Sequence, residues 1–550
     1  MIAINRITDA CVDQGLFSQE VLVSTRIQAK RARKDLLQCL AFAVRMPISA
    51  FYQAYAIAHN FPFCTMQNYS PDMQALRRIP RALLDRRPML PIIAKGAVTS
   101  QTLRLVMSDP EHQLSYEQAK KGIGQHCEIC ISEPKELDYA LGQARAELGI
   151  GSPTAGNFDP VHELHDIIEQ AYLYRSSDIH IQPSPGKLKI RFRIDGVLQD
   201  HSRNFSTEQG LGLMIRVKVI SGMDISEQRM AQDGNASYQI NEDINVDLRV
   251  ATMPTRFGER ATIRLLGSDT ESLTLSQIGM SNEDLEKFQH AIAQPHGMIL
   301  ITGPTGSGKS TSLYSALKHI DSSDINILTV EDPVEYVMDG ISQVQVSNKV
   351  SFSDALRGFL RHDPDVIMLG EIRDGETANA AMKAAMTGHL VFSTLHTNSS
   401  LAAVSRLRDL GAESYLIGST LLAVISQRLV KKLCNYCKKK RPATQSEINL
   451  LGAPNDLMLF DAHGCPHCRN TGYAGRIAIF ETLWVDKKLA GLIAQDVSEA
   501  VLLENSAGFN SLSDDGIKKV IQGITTIDQL QKLALVIQEQ SSSDSEAARL

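Results

Sequence analysis

Positive charge is in deficit along this chain: 56 lysines and arginines stand against 62 aspartates and glutamates, a net charge of −6. That balance is mild and of the wrong sign for a protein that coats nucleic acid, so any basic partner surface has to be local. Aromatic residues make up only 5% of the chain, and stacking motifs for single strands are scarce. No apolar run reaches the roughly 18 to 20 residues that a membrane-spanning helix needs. The most apolar stretch, residues 416–430 (LIGSTLLAVISQRLV), is interrupted by Gly418, Ser419, Thr420, Ser426, Gln427 and Arg428. The start, MIAINRITDACVDQGL, carries Asp9 and Asp13 in place of the apolar core of an export signal. These absences predict a cytoplasmic chain whose membrane contact is peripheral. A disulfide framework is disfavoured as well, because the cysteines number nine and four of them fall between Cys434 and Cys468, a metal-site spacing.

What is present is ordinary globular material in quantity. Hydrophobic residues at 43% and charged residues at 21% allow packed cores, and 550 residues suggest several domains. Residues 1–66 show apolar positions at helical spacing, as in Leu36, Leu37, Leu40 and Ala43, and predict a helical region. Residues 67–150 alternate short strands (MLPIIAK, LRLVMS, CEICIS) with helical patterns, with Ser132 expected to cap a helix that Pro134 opens. This reads as a small α/β unit. GIGSPTAGNFDP, residues 149–160, has the composition of a linker. Residues 151–272 follow with one helix and the alternating runs IHIQP, LKIRFRIDG, VDLRVATMP and ATIRLL, which suit an antiparallel sheet with one solvated face. From 273 to 540 helices alternate with buried strands (MILIT, INILTV, VIML, LVFSTL), the pattern of a mostly parallel sheet in an α/β domain. SSSDSEAARL, residues 541–550, has the composition of a frayed tail.

Chemistry concentrates after the strand MILIT. Gly303, Pro304, Thr305, Gly306, Ser307, Gly308, Lys309, Ser310 and Thr311 precede a helical run, the strand–loop–helix context of a phosphate-binding loop. Glycines let successive N–H groups face phosphate oxygens, Lys309 adds a cation, and Ser310 is placed to hold Mg²⁺. Hydrolysis needs acids at neighbouring strand ends, and two strands supply them: INILTV runs into Glu331, Asp332 and Glu335, and Asp365-VIML into Gly370, Glu371, Arg373 and Asp374. His389 and His396 flank the strand LVFSTL on opposite faces, so they cannot share one metal from that strand. His396, at its carboxyl end, is the candidate for contact with nucleotide or water, and His389 for a turn anchor. A structural, hydrogen-bonded role stays open for both.

Cys434 and Cys437, then Cys465 and Cys468, form two Cys-x-x-Cys pairs suited to a tetrahedral Zn²⁺ with no open position, hence a structural site. The stretch between the pairs predicts an excursion that carries a helix, and His463 and His467 are spare ligands beside the second pair. Cys127 and Cys130 lie on a strand where side chains three apart diverge, which favours core packing over a redox or metal site. Lys431, Lys432, Lys438, Lys439, Lys440 and Arg441 ring the first knuckle, either as a solvated surface or as a contact for an acidic partner or lipid headgroups.

Taken in order and spacing, GPTGSGKST, VEDPVEY, DPDVIMLGEIRD and TGHLVFSTLHTN resemble the secretion ATPase superfamily, above all the type II secretion and type IV pilus assembly ATPases. The likeness continues through SSDIHIQP, RFRIDG, QRMAQDG, DLRVATMP, GERATIRLL, SQRLVKKLC and the four-cysteine insertion at about 430–475, and covers roughly residues 160–500. The resemblance implies a RecA-like ATPase domain preceded by a PAS-like domain and an N-terminal docking domain. It implies a homohexamer that uses ATP, Mg²⁺ and Zn²⁺ and works with an inner-membrane platform and cytoplasmic docking proteins, with no nucleic acid. Under it, 303–311 is Walker A, Glu331 and Asp332 belong to the Asp box, Glu371 to Walker B, and 387–397 to the His box. Arg249 and Arg264 are the arginines expected to approach the nucleotide, although both could equally be strand-surface charges. Glu331 is the expected water-polarising residue, and Glu371 supports Mg²⁺ with Ser310; the two glutamates could exchange roles.

The N-terminal region resembles the family's docking domain only loosely, through VDQGLFS, FPF, IPRALLDRRPMLPI and LRLVMSDP. Some relatives bind cyclic di-GMP there through Arg-Leu-Gly repeats, and none occurs before Phe61. The implied function is assembly of a pilus or secretion pseudopilus. The rivals are a retraction or conjugation ATPase, which typically lacks the four-cysteine module, a nucleic-acid motor, and a scaffold that binds ATP without turnover.

Overall fold

A computed structural model describes residues 2–66, 68–95, 102–107, 109–149, 158–266, 274–335, 337–347 and 349–533. The linker composition at 150–157, the expected boundary at 272–273 and the tail at 541–550 lie outside the described residues. The chain divides into two compact units, Met1–Ser268 with Cys465–Asn470, and Asp269–Gly464 with Thr471–Leu550. Among the described residues no helix is long and apolar enough to cross a membrane.

The first unit begins with four helices, Ile4–Asp13, Gln19–Ala32, Leu36–Val44 and Ile48–Ala58, which bury a shared face that includes Ile7, Leu22, Leu40, Phe51 and Tyr55. A four-stranded sheet follows in the order Tyr69–Pro71, Met89–Ala94, Arg104–Met107 and Glu128–Cys130. Cys127 and Cys130 are both fully buried in its core, as the packing reading expected. The helix Pro134–Glu147 does open on Pro134, but the cap position is Glu133 and no side chain caps it. Ser132, the expected cap, instead donates to Glu136 Oε2 at 3.3 Å. The helix begins one residue later than a cap at Ser132 requires, and the cap position falls to Glu133, a residue type poorly suited to capping.

Next comes a six-stranded antiparallel sheet, ordered Val197–Ser206, Lys187–Ile194, Ser176–Ser184, Gly258–Leu266, Asn245–Thr255 and Gln232–Gln239. Burial alternates residue by residue along Lys187–Ile194, because period-two side chains put Leu188, Ile190, Phe192 and Ile194 on the covered face. The helices Pro160–Leu173 and Thr207–Ile220 cover that face. The second starts from a reciprocal Ser206/Gln209 capping box, which satisfies two otherwise unpaired N–H groups.

The second unit is built on seven strands, in the order Ser342–Gln345, Ile327–Glu331, Val366–Leu369, Leu390–Leu395, Gly297–Thr302, Leu421–Leu433 and Tyr473–Trp484. Every neighbouring pair is parallel except the last. The central strands 297–302 and 390–395 are buried at all positions, the mark of helices on both faces. Parallel pairing also sends the strand ends of Thr302, Glu331, Leu369 and Leu395 to one edge of the sheet. This is an α/β fold, as the sequence pattern indicated.

Within the first unit His201 is a buried histidine with both ring nitrogens committed. Nε2 lies 2.9 Å from the Gln170 side-chain oxygen, and Nδ1 accepts the Arg203 backbone N–H at 3.1 Å. Burial, reinforced by the nearby Arg203 charge, holds its pKa down at about 4. A histidine with a depressed folded pKa contributes stability that is present above the unfolded value near 6.5 and lost as pH falls toward 4. The loss is about 3 kcal/mol at 1.4 per pH unit. Thermal unfolding followed from pH 7 to 4.5 is therefore expected to show a shallower acid loss in His201→Gln than in the wild type; identical slopes contradict the assignment.

Candidate functional site

The strand 297–302 ends in a loop that only glycine can shape. Gly303, Gly306 and Gly308 have φ of 144°, 78° and 89°, in the region that side chains resist. Space is denied as well: a Cβ on Gly303 would stand 2.5 Å from the Gln427 carbonyl oxygen, and one on Gly308 would stand 2.7 Å from Gln427 Nε2. Ser307 is buried beneath the loop, while Thr305, Gly306 and Ser310 are exposed on it. The helix Lys309–Ile320 starts from Gly308 with no side-chain cap, so its first-turn N–H groups are presented to whatever anion the loop holds. Lys309 Nζ donates to the carbonyls of Gly303 and Pro304 at 2.8 and 3.2 Å. Burial pulls the pKa of this ammonium down to about 8, against the opposing pull of Glu371.

Gln427 holds the loop from the neighbouring strand, a role that motif reading did not assign. Its Nε2 donates to the Ser307 carbonyl at 2.9 Å, and its Oε1 accepts from Ser312 Oγ at 2.8 Å. Arg428 is buried beside it and bonds the carbonyls of Gln427 and Asn398. The register explains both: Ser426 pairs with Thr302, so the next residue of that strand meets the loop as it leaves the sheet.

The two acids occupy different surroundings. Glu331, the last residue of its strand, is only 4% exposed. Its Oε1 accepts from Thr329 Oγ1 at 2.6 Å and Gln343 Nε2 at 3.1 Å, and its Oε2 accepts from the Tyr314 hydroxyl. Glu371 stands in a cluster of charges: Arg373 Nε donates to it at 2.7 Å, and His396 Nε2 lies 3.3 Å from its other oxygen. Arg373 also reaches Asp332 at 3.1 Å, and these carboxylates raise its pKa, Glu371 first. The structure thus brings His396, Glu371, Arg373 and Asp332 together. It keeps His389 apart, with Nδ1 on the Ala384 carbonyl at 2.9 Å, a turn anchor. Asp365 lies at the other end of its strand, where its carboxylate accepts the Asn326 N–H at 2.8 Å.

Arg249 and Arg264 are direct cross-strand partners in the antiparallel sheet of the first unit. Like charges placed opposite one another are unfavourable. The buried Asp178 offsets part of this charge: Arg264 Nε donates to its Oδ1 at 3.1 Å, and Arg193 lies 3.6 Å from its Oδ2.

Cys434, Cys437, Cys465 and Cys468 gather with their sulfur atoms all within 4.8 Å of one another. Sulfurs on a tetrahedral ion at about 2.3 Å are separated by about 3.8 Å, and Cys465 Sγ and Cys468 Sγ are 3.8 Å apart. Backbone N–H groups of Gly464 and Cys465 donate to the sulfurs of Cys437 and Cys468, each at 3.2 Å. The donor set is compatible with zinc. Between the two pairs the chain forms a two-stranded sheet, Lys439–Pro442 with Met458–Asp461, and the helix Gln445–Leu451, the expected excursion. The basic collar is partly consumed internally: Arg441 pairs with Glu447 and Asp461, and Lys438 bonds the Gly523 carbonyl. Lys439 and Lys440 are exposed.

A glycine loop on a parallel sheet, a lysine-headed helix and acids at the same edge define a P-loop nucleotide-hydrolysing domain. The profile described as Type II/IV secretion system protein matches residues 155–532, and that of the MshEN domain matches 59–149. The "Type II secretion system ATPase E" of Vibrio cholerae is 46% identical over 378 residues, spanning 67% of this chain and 74% of that protein. The "Type IV pilus assembly ATPase PilB" of Thermus thermophilus is 36% identical over 515 residues, 88% of this chain and 57% of that one. Among solved structures, the ATPase DotB of Legionella pneumophila superposes with a TM-score of 0.53 at 25% identity, covering 70% of this chain and 98% of its own. The chain belongs to the type II/IV secretion ATPase family and is an ATP-hydrolysing enzyme.

Because Gly308 has both a left-handed backbone and a neighbour where a Cβ would sit, Gly308→Ala is expected to weaken ATP binding at least tenfold while the protein remains folded. Titration with a fluorescent ATP analogue, alongside thermal unfolding, checks this. Unchanged affinity contradicts the loop assignment.

Proposed function

We propose that this protein is the cytoplasmic motor of a type IV pilus or type II secretion pseudopilus, acting as a homohexamer against an inner-membrane platform. The observation that carries the reading is the convergence of the glycine loop, Lys309 and the Glu371–Arg373–His396 cluster at one sheet edge, in a chain whose relatives are named as secretion and pilus assembly ATPases. The four-cysteine cluster supports assembly over retraction, because it matches the module expected of assembly motors.

In this reading the amides of 303–311 and Lys309 bind the triphosphate, with Pro304, Thr305 and Ser307 shaping the loop. The exposed Ser310 hydroxyl and the Glu371 carboxylate hold Mg²⁺, which neutralises phosphate charge when bound. Glu331 orients the attacking water and takes up its developing positive charge. His396, 3.3 Å from Glu371, keeps that carboxylate in place and contacts nucleotide or water. Arg249 and Arg264 supply guanidinium charge to the transferring phosphoryl group, a contribution worth 10³ to 10⁵ in rate in related chemistry. ATP binding and release then alternate two arrangements of the domains, which is the work step. The four cysteines hold Zn²⁺ as a structural clasp without an open position.

Three outcomes test this. Arg249→Ala and Arg264→Ala are each expected to lower kcat for ATP about 100-fold or more with nucleotide still bound; phosphate release at the native rate by both overturns their role. Elemental analysis should find one zinc per chain, lost in Cys437→Ser together with a lower unfolding temperature. A protein that is metal-free and equally stable contradicts the clasp. In cells, deletion is expected to abolish surface pili or to strand exoproteins in the periplasm; a deletion strain that shows neither phenotype contradicts the motor.

A further inference from the structure

The helix that carries Lys309 also carries Tyr314, and Tyr314 reaches the second acid. The two residues share one rigid element, about 7.5 Å apart along its axis at 1.5 Å per residue. The Tyr314 ring is 1% exposed, packed in the core with Leu313, Leu317 and Ile327. Its hydroxyl has one proton to give, and an ionised carboxylate can only accept, so the bond to Glu331 Oε2 runs from tyrosine to glutamate. The Tyr314 hydroxyl oxygen in turn accepts the backbone N–H of Glu335 at 3.2 Å. One buried hydroxyl thus ties the phosphate-binding helix to the strand-end acid and to the segment that follows it. Burial, with the Glu331 charge beside it, pushes the hydroxyl's pKa up and keeps its proton in place.

The other two donors to Glu331 come from elsewhere. Thr329 belongs to the same strand as the acid, and Gln343 to the adjoining strand Ser342–Gln345. Neither moves with the phosphate loop. Among the donors to Glu331 in the described residues, Tyr314 is the one attached to the element that begins at Lys309, so its bond links a displacement of the loop directly to the carboxylate. A water-orienting group displaced by about 1 Å can lose about 100-fold in rate, because the attack geometry is set by that carboxylate.

We propose that Tyr314 is a positioning residue for ATP hydrolysis, its hydroxyl fixing the Glu331 carboxylate relative to the phosphate-binding helix. The proposal rests on the reading of Glu331 as the water-orienting acid. Tyrosine is required for its hydroxyl; the ring alone fills the core.

The test is a double-mutant cycle in the full-length protein with Tyr314→Phe, Glu331→Gln and both together, measuring phosphate release and ATP binding. Tyr314→Phe keeps the ring and is expected to lower kcat about 10- to 100-fold, with KM and the ATP dissociation constant within about twofold. The double variant is expected to be no slower than Glu331→Gln alone, since a residue that acts only through Glu331 has nothing left to lose. Two results overturn the proposal: native kcat in Tyr314→Phe while Glu331→Gln is slow, or losses that multiply in the double variant. Native turnover in Glu331→Gln instead overturns the role of Glu331 itself, so the two failures are told apart. If Tyr314→Phe does not fold, 2,3-difluorotyrosine at position 314 retains the ring and hydroxyl but changes its donor strength. A changed kcat at constant KM supports the proposal, and an unchanged kcat contradicts it.

Discussion

The site depends on a change of backbone direction that only glycine permits. The strand 297–302 is fully buried, and its chain must leave the sheet, turn beneath Gln427 and re-enter as a helix within six residues. Positive φ at Gly303, Gly306 and Gly308 makes that turn, and the missing Cβ atoms make room for the strand beside it. From this follow the uncapped helix start, the place of Lys309 and the proximity of Glu371. Buried backbone groups of such a loop need partners. Here Gln427 and Lys309 satisfy carbonyls, and the N–H groups of Gly303 and Ser307 bond the Leu395 and Pro304 carbonyls, so the exposed turn and the helix start carry the loop's chemical resource.

Parallel pairing does the rest of the positioning. Because strands 297–302, 327–331, 366–369 and 390–395 run the same way, the residues that follow them collect at one edge, and acids distant in sequence become neighbours of the loop. The two glutamates emerge there in contrasting states. Glu331 is enclosed by neutral donors, whereas Glu371 sits between the Arg373 guanidinium and the His396 ring at a half-open position. Such a contrast suits a division of labour between orienting water and supporting a metal ion, since a metal ligand must be reachable and a water-orienting group must be held still.

Much of this was legible in the residues. The glycine loop, the four-cysteine pairs and the alternation of buried strands with helices are local patterns, and each signals its chemistry by spacing alone. The cross-strand pairing of Arg249 with Arg264 was not visible, because it depends on the register of two strands joined by a turn. Gln427 and Tyr314 were missed for a related reason: each acts through a partner more than ten residues away, fixed by sheet register or helix docking. The cap expected at Ser132 failed because the helix begins one residue further on, with Glu133 at the cap position, and the serine found Glu136 instead.

The central claim is that the loop and Lys309 hold ATP for hydrolysis, and the most direct measurement is Mg²⁺-dependent phosphate release by the purified protein beside its Lys309→Ala variant. The account predicts saturable turnover in the wild type and loss of at least 100-fold in the variant. Equal rates in the two, or release indifferent to Mg²⁺, would contradict it.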